Sequence, residues 1–155
     1  GTGYAYWMDR EPSPRELSCM AYGSLIRGAR GIYYFAQFPR TAECFDEMRA
    51  LCVEVDALAP ALSSLETGPR TTCNKPAILT GTYWLDGVPW VLAVNTQAVP
   101  CKARFEVENA PKGGAEVLFE ARKVGITGAT WEDAFGPYER HVYRLPRVVP
   151  PGANQ

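Results

Sequence analysis

His141 is the only histidine in the 155 residues, so any Ser-His or Cys-His nucleophilic pair has to use it. Its surroundings argue for a structural role instead. In "ERHVYRL" it alternates with Tyr143 and Leu145, the pattern of a strand with one buried face. Carboxylates are the next candidates for acid–base work. Glu43 and Glu47 stand at helical spacing, beside rather than within an apolar stripe, and a solvated charged face is the expectation. The five cysteines (Cys19, Cys44, Cys52, Cys73 and Cys101) contain no CxxC pair, so zinc-ribbon ligation is not expected, nor is any cofactor. They read as small apolar residues in a reducing compartment, which favours a cytoplasmic location; Cys73–Cys101 is the one pairing considered for a disulfide. "GTG" and "KGG" lack any phosphate-binding pattern.

Three tryptophans raise a binding question. Trp84, Trp90 and Trp131 can form a glycan platform only if their rings share an exposed face. Packing in a core is the competing reading, because large aromatics dominate the interiors of β-sandwiches. The net charge is −1 with both signs interleaved, which argues against a nucleic-acid or anionic-membrane partner. No apolar run approaches the length of a membrane span, and no charged-then-apolar signal opens the sequence.

The elements that would position these residues fall into two groups. Ser13, Pro14 and Glu16 form a capping box with proline at the first helical position. Leu17, Met20, Ala21, Ser24 and Leu25 continue at helical spacing, and Gly28 suits a left-handed C-terminal cap. "GIYYFAQ", residues 31–37, resembles a strand buried on both faces. Thr41 caps a second helix over residues 42–59. Its expected stripe is Phe45, Met48, Cys52, Val55 and Ala59, widened by Leu51 and Leu58, and Pro60 stops or kinks it. After the polar connector "ETGPRTTCNKP", short strand patterns alternate with turns. "AILTGTYWL" and "PWVLAVNT" flank Asp86-Gly87, a strong hairpin signal that pairs Tyr83 with Trp90. "CKARFEVEN" sends Ala103, Phe105 and Val107 to one face. The expected class is α+β: a helix–strand–helix segment over residues 1–64, an antiparallel β-sandwich over 65–146 and a loose tail over 147–155. A lone parallel strand cannot satisfy its buried backbone groups, so the first segment is expected to need a larger sheet, upstream or in another chain.

"REPSPRELSCMAYGSLIRGARGIYYFAQ" resembles the end of the catalytic (β/α)8 barrel of bacterial glycoside-hydrolase-like proteins. "ECFDEMRALCVEVDALAPAL" is similar to their final barrel helix, and "WVLAVNT…ARFEV…AEVLFEAR…FGPYERHVYRL" to the β-sandwich that commonly follows. The resemblance implies an incomplete barrel plus a C-terminal sandwich. The paired catalytic carboxylates of such enzymes match no residue here, so no catalytic residue is assigned and this chain alone is expected to lack hydrolase activity. Asp9 and Glu11 lie in the loop that would follow the seventh strand, and neither is equated with the nucleophile. Trp7, Tyr33, Tyr34 and Gln37 would lie near the barrel mouth, where aromatics and an amide suit a sugar substrate. The partners implied are carbohydrate, and either the missing barrel or another copy of the chain. The rival readings are a stand-alone carbohydrate-binding sandwich and an assembly domain that uses the orphan α/β segment.

Overall fold

The computed structural model describes residues 10–34, 39, 41–108 and 113–148. Two helices, α1 (Pro14–Ile26) and α2 (Ala42–Ser63), precede eight strands. These are β1 (Thr71–Cys73), β2 (Ile78–Leu85), β3 (Val88–Asn95), β4 (Cys101–Val107), β5 (Gly113–Leu118), β6 (Arg122–Ile126), β7 (Thr130–Phe135) and β8 (Arg140–Arg144). The strands form two antiparallel sheets, a three-stranded β1-β4-β7 and a five-stranded β2-β3-β8-β5-β6.

Period-two side-chain alternation builds the core between the sheets. Phe105 is fully buried on β4 and stacks on Trp131 of β7, with ring centroids 5.2 Å apart. Val91, Ala93 and Tyr143 meet them from the larger sheet. The other face of that sheet is also covered. Leu92, Val94 and Val142 pack against Tyr22 and Leu25 of α1 and Leu51 and Leu58 of α2. The architecture is therefore three layers: a helix pair, the five-stranded sheet, and the three-stranded sheet.

α1 starts as its residues dictate. The Ser13 hydroxyl accepts from the Glu16 amide, and the Glu16 carboxylate accepts from the Ser13 amide at 2.8 Å. Gly28, at φ +97°, follows the C-terminus. Its buried face is Ser18, Ala21, Tyr22 and Leu25, whereas Met20 is 51% exposed. α2 differs more from expectation. Its buried positions are Cys44, Leu51, Glu54, Leu58 and Ala61, while Phe45, Cys52 and Ala59 face outward. The helix also runs through Pro60 to Ser63.

The expected strand at 31–37 is not formed over its described part: residues 31–34 belong to no strand, and 35–37 lie outside the described residues. No neighbouring strand pairs with residues 31–34, and without a ladder a strand has no means of satisfying its backbone groups. Ile32 instead packs against the helix-side core, and Tyr33 is 86% exposed. The connector "ETGPRTTCNKP" contributes β1, a short edge strand that Thr71–Cys73 pair with Val107–Phe105. The Asp86-Gly87 hairpin has both residues at positive φ, +53° and +69°, as a type I′ turn requires, and it pairs Tyr83 with Trp90.

Candidate functional site

β8 directs its side chains alternately to the two layers, and each side meets a polar cluster. On the helix side, Arg140 grips α2. Its Nε donates to Glu54 Oε2 at 2.9 Å, a terminal nitrogen donates to Oε1 at 2.5 Å, and the other lies 3.1 Å from Glu47 Oε1. The Tyr22 hydroxyl also donates to Glu54 Oε2, at 2.6 Å, and the guanidinium lies over the Tyr22 ring at 5.3 Å. Ser18 Oγ hydrogen-bonds Glu47. Burial, then the Glu54 charge, pushes the Tyr22 phenol well above its ordinary range, so it remains a donor. Burial opposes the Arg140 charge, but the Glu54 hydrogen bonds and charge outweigh it and raise the guanidinium pKa.

On the sandwich side, His141 Nε2 donates to the Ala134 carbonyl at 3.1 Å, and Nδ1 lies 2.5 Å from Glu120 Oε1. Arg122 links Glu120 at 2.7 Å to Asp133, which it grips with bonds of 3.1 and 2.8 Å. The Tyr143 hydroxyl donates to Asp133 Oδ2 at 2.9 Å. Burial pushes the Glu120 carboxyl up, but the hydrogen bonds and charges of His141 and Arg122 hold it below the ordinary carboxylate range. A sequence signal for this network exists. Asp133 occupies the inward register between Trp131 and Phe135, where an acid needs a partner.

The two clusters meet at an open cleft of about 350 Å³ bordered by α1, α2, the tip of the β5–β6 hairpin and the β7–β8 connection, which crosses from one sheet to the other. Arg15, Leu118, Phe119, Tyr138, Glu139 and Val142 complete its lining. Glu47 and Glu54 are both held by Arg140, so neither is placed as a free acid or nucleophile. His141 Nε2 faces the Ala134 carbonyl and Nδ1 faces both Glu120 Oε1 and, at 3.3 Å, an Arg122 terminal nitrogen, and no described serine, threonine or cysteine hydrogen-bonds to it. Among the described residues, no group of three or more His, Cys, Asp or Glu side chains is arranged to hold a metal ion. No helix of the described residues is long and apolar enough to cross a membrane. All five cysteines are free, including Cys73 and Cys101, which pack at the margin of the sandwich core.

The residues singled out from the sequence are dispersed. Trp7 and Gln37 lie outside the described residues. Tyr33 projects into solvent, while the Tyr34 hydroxyl is buried with no hydrogen-bond partner among the described residues. Burial raises the Tyr34 phenol pKa, with smaller contributions from Cys52 and Glu47. Trp131 lies in the sandwich core, and Trp84 is buried with its Nε1 donating to the Pro69 carbonyl at 3.3 Å. Trp90 faces the helix side, with Arg144 over its ring at 5.8 Å. The three indoles do not share an exposed face. Glu47, expected in the solvated face of α2, is instead drawn to Arg140.

No family model matches this sequence, and no curated protein does. Solved structures do match in fold. An Anoxybacillus α-amylase superposes with a TM-score of 0.53 at 14% identity, over 73% of this chain and 25% of its own. AmyP, solved in complex with maltose, gives a TM-score of 0.58 at 14% identity, over 72% of this chain and 23% of its own. A GH30 endoxylanase from Clostridium papyrosolvens gives 0.51 at 14% identity, over 89% of this chain and 39% of its own. The chain thus matches about a quarter of the amylases and 39% of the endoxylanase, and the likeness is one of fold.

Proposed function

We propose that this chain is the C-terminal region of a glycoside-hydrolase-like, carbohydrate-active protein of bacterial type. It is non-catalytic by itself and supports a barrel active site that the rest of the protein supplies. The observation that carries the reading is the helix pair on the outer face of the five-stranded sheet, in a fold shared with part of several glycoside hydrolases. α2 supports it further. One side of the helix is committed to the sheet, and Phe45, Cys52, Val53 and Ala59 are left on the other. A helix with apolar residues on two sides suits a position between two packed bodies. The partner on that second side is the barrel portion or, failing that, another copy of the chain.

The test has two readouts. The purified chain is expected to leave aryl-glycosides intact above background. Turnover that survives repurification and disappears with one Asp or Glu substitution would overturn the non-catalytic reading. Sedimentation of the wild type beside Val53→Asp reports on the second side of α2. Val53 is 70% exposed, so the substitution spares the core. If the chain self-associates, Val53→Asp is expected to disperse it; association unchanged by the substitution would place the contact elsewhere.

A further inference from the structure

The β5–β6 hairpin tip and the turn that carries the chain from β7 to β8 across the sheets border the cleft, and each holds an aromatic residue in the left-handed backbone region. In the β7–β8 turn, the Glu139 amide donates to the Gly136 carbonyl at 3.3 Å, with Pro137 and Tyr138 between them. Proline fixes a negative φ, and Tyr138 follows at φ +55°. That is the pattern of a type II turn, whose third position favours glycine. In the β5–β6 turn, Phe119 stands at φ +67° and is 49% exposed. Bulky residues in this region are strained, and such strain collects at ligand clamps.

The charges of the cleft are largely satisfied internally. Arg140 neutralises Glu47 and Glu54, and His141 and Arg122 hold Glu120. Two charged groups remain open. Arg15 reaches only the Pro137 carbonyl among the described residues, at 3.5 Å. Glu139 accepts from the Gly136 amide at 2.5 Å and lies 3.9 Å from His141 Nε2. The Tyr138 hydroxyl makes no hydrogen bond among the described residues. The cleft thus offers one cationic donor, one anionic acceptor and two aromatic side chains. Its volume, about 350 Å³, lies within the usual range of small-molecule sites, about 300–1,000 Å³.

From this juxtaposition we infer that the cleft binds a neutral polyhydroxylated ligand of the sugar class. Phe119 and Tyr138 pack on the apolar face of a ring, and Arg15 and Glu139 serve adjacent hydroxyls as donor and acceptor. The lining sets Arg15 and Arg140 among four glutamates, so neither an anion nor a cation meets charges of a single sign. The inference needs no catalytic carboxylate and stands apart from the hydrolase reading.

The experiment is an amide-NMR titration of the full chain with neutral mono- and trisaccharides of glucose, galactose, mannose and xylose, beside glucuronate and glucosamine. At least one neutral sugar is expected to bind saturably, with shifts centred on residues 118–121 and 136–141. Arg15→Ala and Glu139→Gln are each expected to weaken it about tenfold or more, because hydrogen bonds to charged groups are lost. Tyr138→Gly suits the turn backbone, so it is expected to weaken binding while Tm stays level or rises. The inference is overturned if no neutral sugar binds at millimolar concentration. It is equally overturned by a preference for glucuronate or glucosamine, or by undiminished affinity in both charge variants. Neither result touches the activity test of the hydrolase reading.

Discussion

The Arg140 guanidinium and the Glu54 carboxylate lie 86 residues apart in sequence, yet they share two hydrogen bonds of 2.9 and 2.5 Å that join α2 to β8. Their side chains are 22% and 10% exposed, so the pair is largely removed from water. Arg140→Ala strands the Glu54 carboxylate, at a cost of about 3–5 kcal/mol, whereas Glu54→Ala leaves Arg140 paired with Glu47 and is expected to cost less. Arg140→Met combined with Glu54→Leu is expected to recover most of that loss. Urea unfolding of the two single alanine variants and this combined variant checks it. Single-variant losses below about 1 kcal/mol would mean that the pair behaves as a surface ion pair.

The sandwich core rests on β4. Phe105→Ala is expected to cost about 3–5 kcal/mol, because its ring is fully buried among Trp131, Phe135 and Tyr143. Lys102→Ala breaks only an exposed pair with Glu132, at 69% and 51% exposure, and is expected to change little. Glu106→Ala is expected to be similarly mild. Equal losses at all three positions in denaturant titrations would contradict the register of β4.

Gly68 marks where the chain crosses the Trp84 indole. A Cβ at this position would stand 2.3 Å from Trp84 Cε2 and 2.6 Å from Cζ2, so the ring or the chain has to move. Gly68→Ala is expected to destabilise by about 1–3 kcal/mol and to alter the Trp84 environment. Thermal unfolding beside the same measurement on Gly125→Ala, where the added Cβ meets open space, isolates the clash. A loss no larger than that of Gly125→Ala would refute the close approach.

Glu16 gives the N-terminus of α1 a pH dependence. Its carboxyl is held down from 4.5 to about 2, first by the Arg10 hydrogen bonds, then by those of the Ser13 amide and hydroxyl. A carboxyl with a lower pKa folded than unfolded favours the fold while ionised. That contribution is complete above 4.5 and disappears as pH falls toward 2. Amide-exchange protection of the first turn is expected to weaken across this window, and Glu16→Gln to abolish that part of the dependence. A carboxyl-carbon titration placing Glu16 near 4.5 would remove the basis for it.

Local chemistry made much of this structure readable in the sequence. The Ser13–Glu16 box, the Asp86-Gly87 turn and the alternation around Phe105 each draw on residues a few positions apart. The misreadings involve distant partners. α2 turns Glu54 inward and Phe45 outward because Arg140 lies across the helix–sheet boundary, and an apolar-stripe count cannot register an ion pair. Residues 31–34 have strand-like composition, but composition supplies no neighbouring strand. The cleft gathers both helices, the β5–β6 tip and the β7–β8 connection, which are remote from one another in sequence, so no single local pattern announces it.

The five-stranded sheet is covered on both faces, and this bears on how the chain can be divided. A cut near residue 64 looks natural by composition. It would expose Leu92, Val94 and Val142, whose burial contributes on the order of 1.5–3 kcal/mol each. The liberated sandwich would carry an adhesive outer wall, with Arg140 on that same wall stripped of both glutamates. Recombination that moved the strands without the helices would therefore yield an insoluble passenger. Helices and strands thus make one folding unit, whose wall and cover are separately unfit for water.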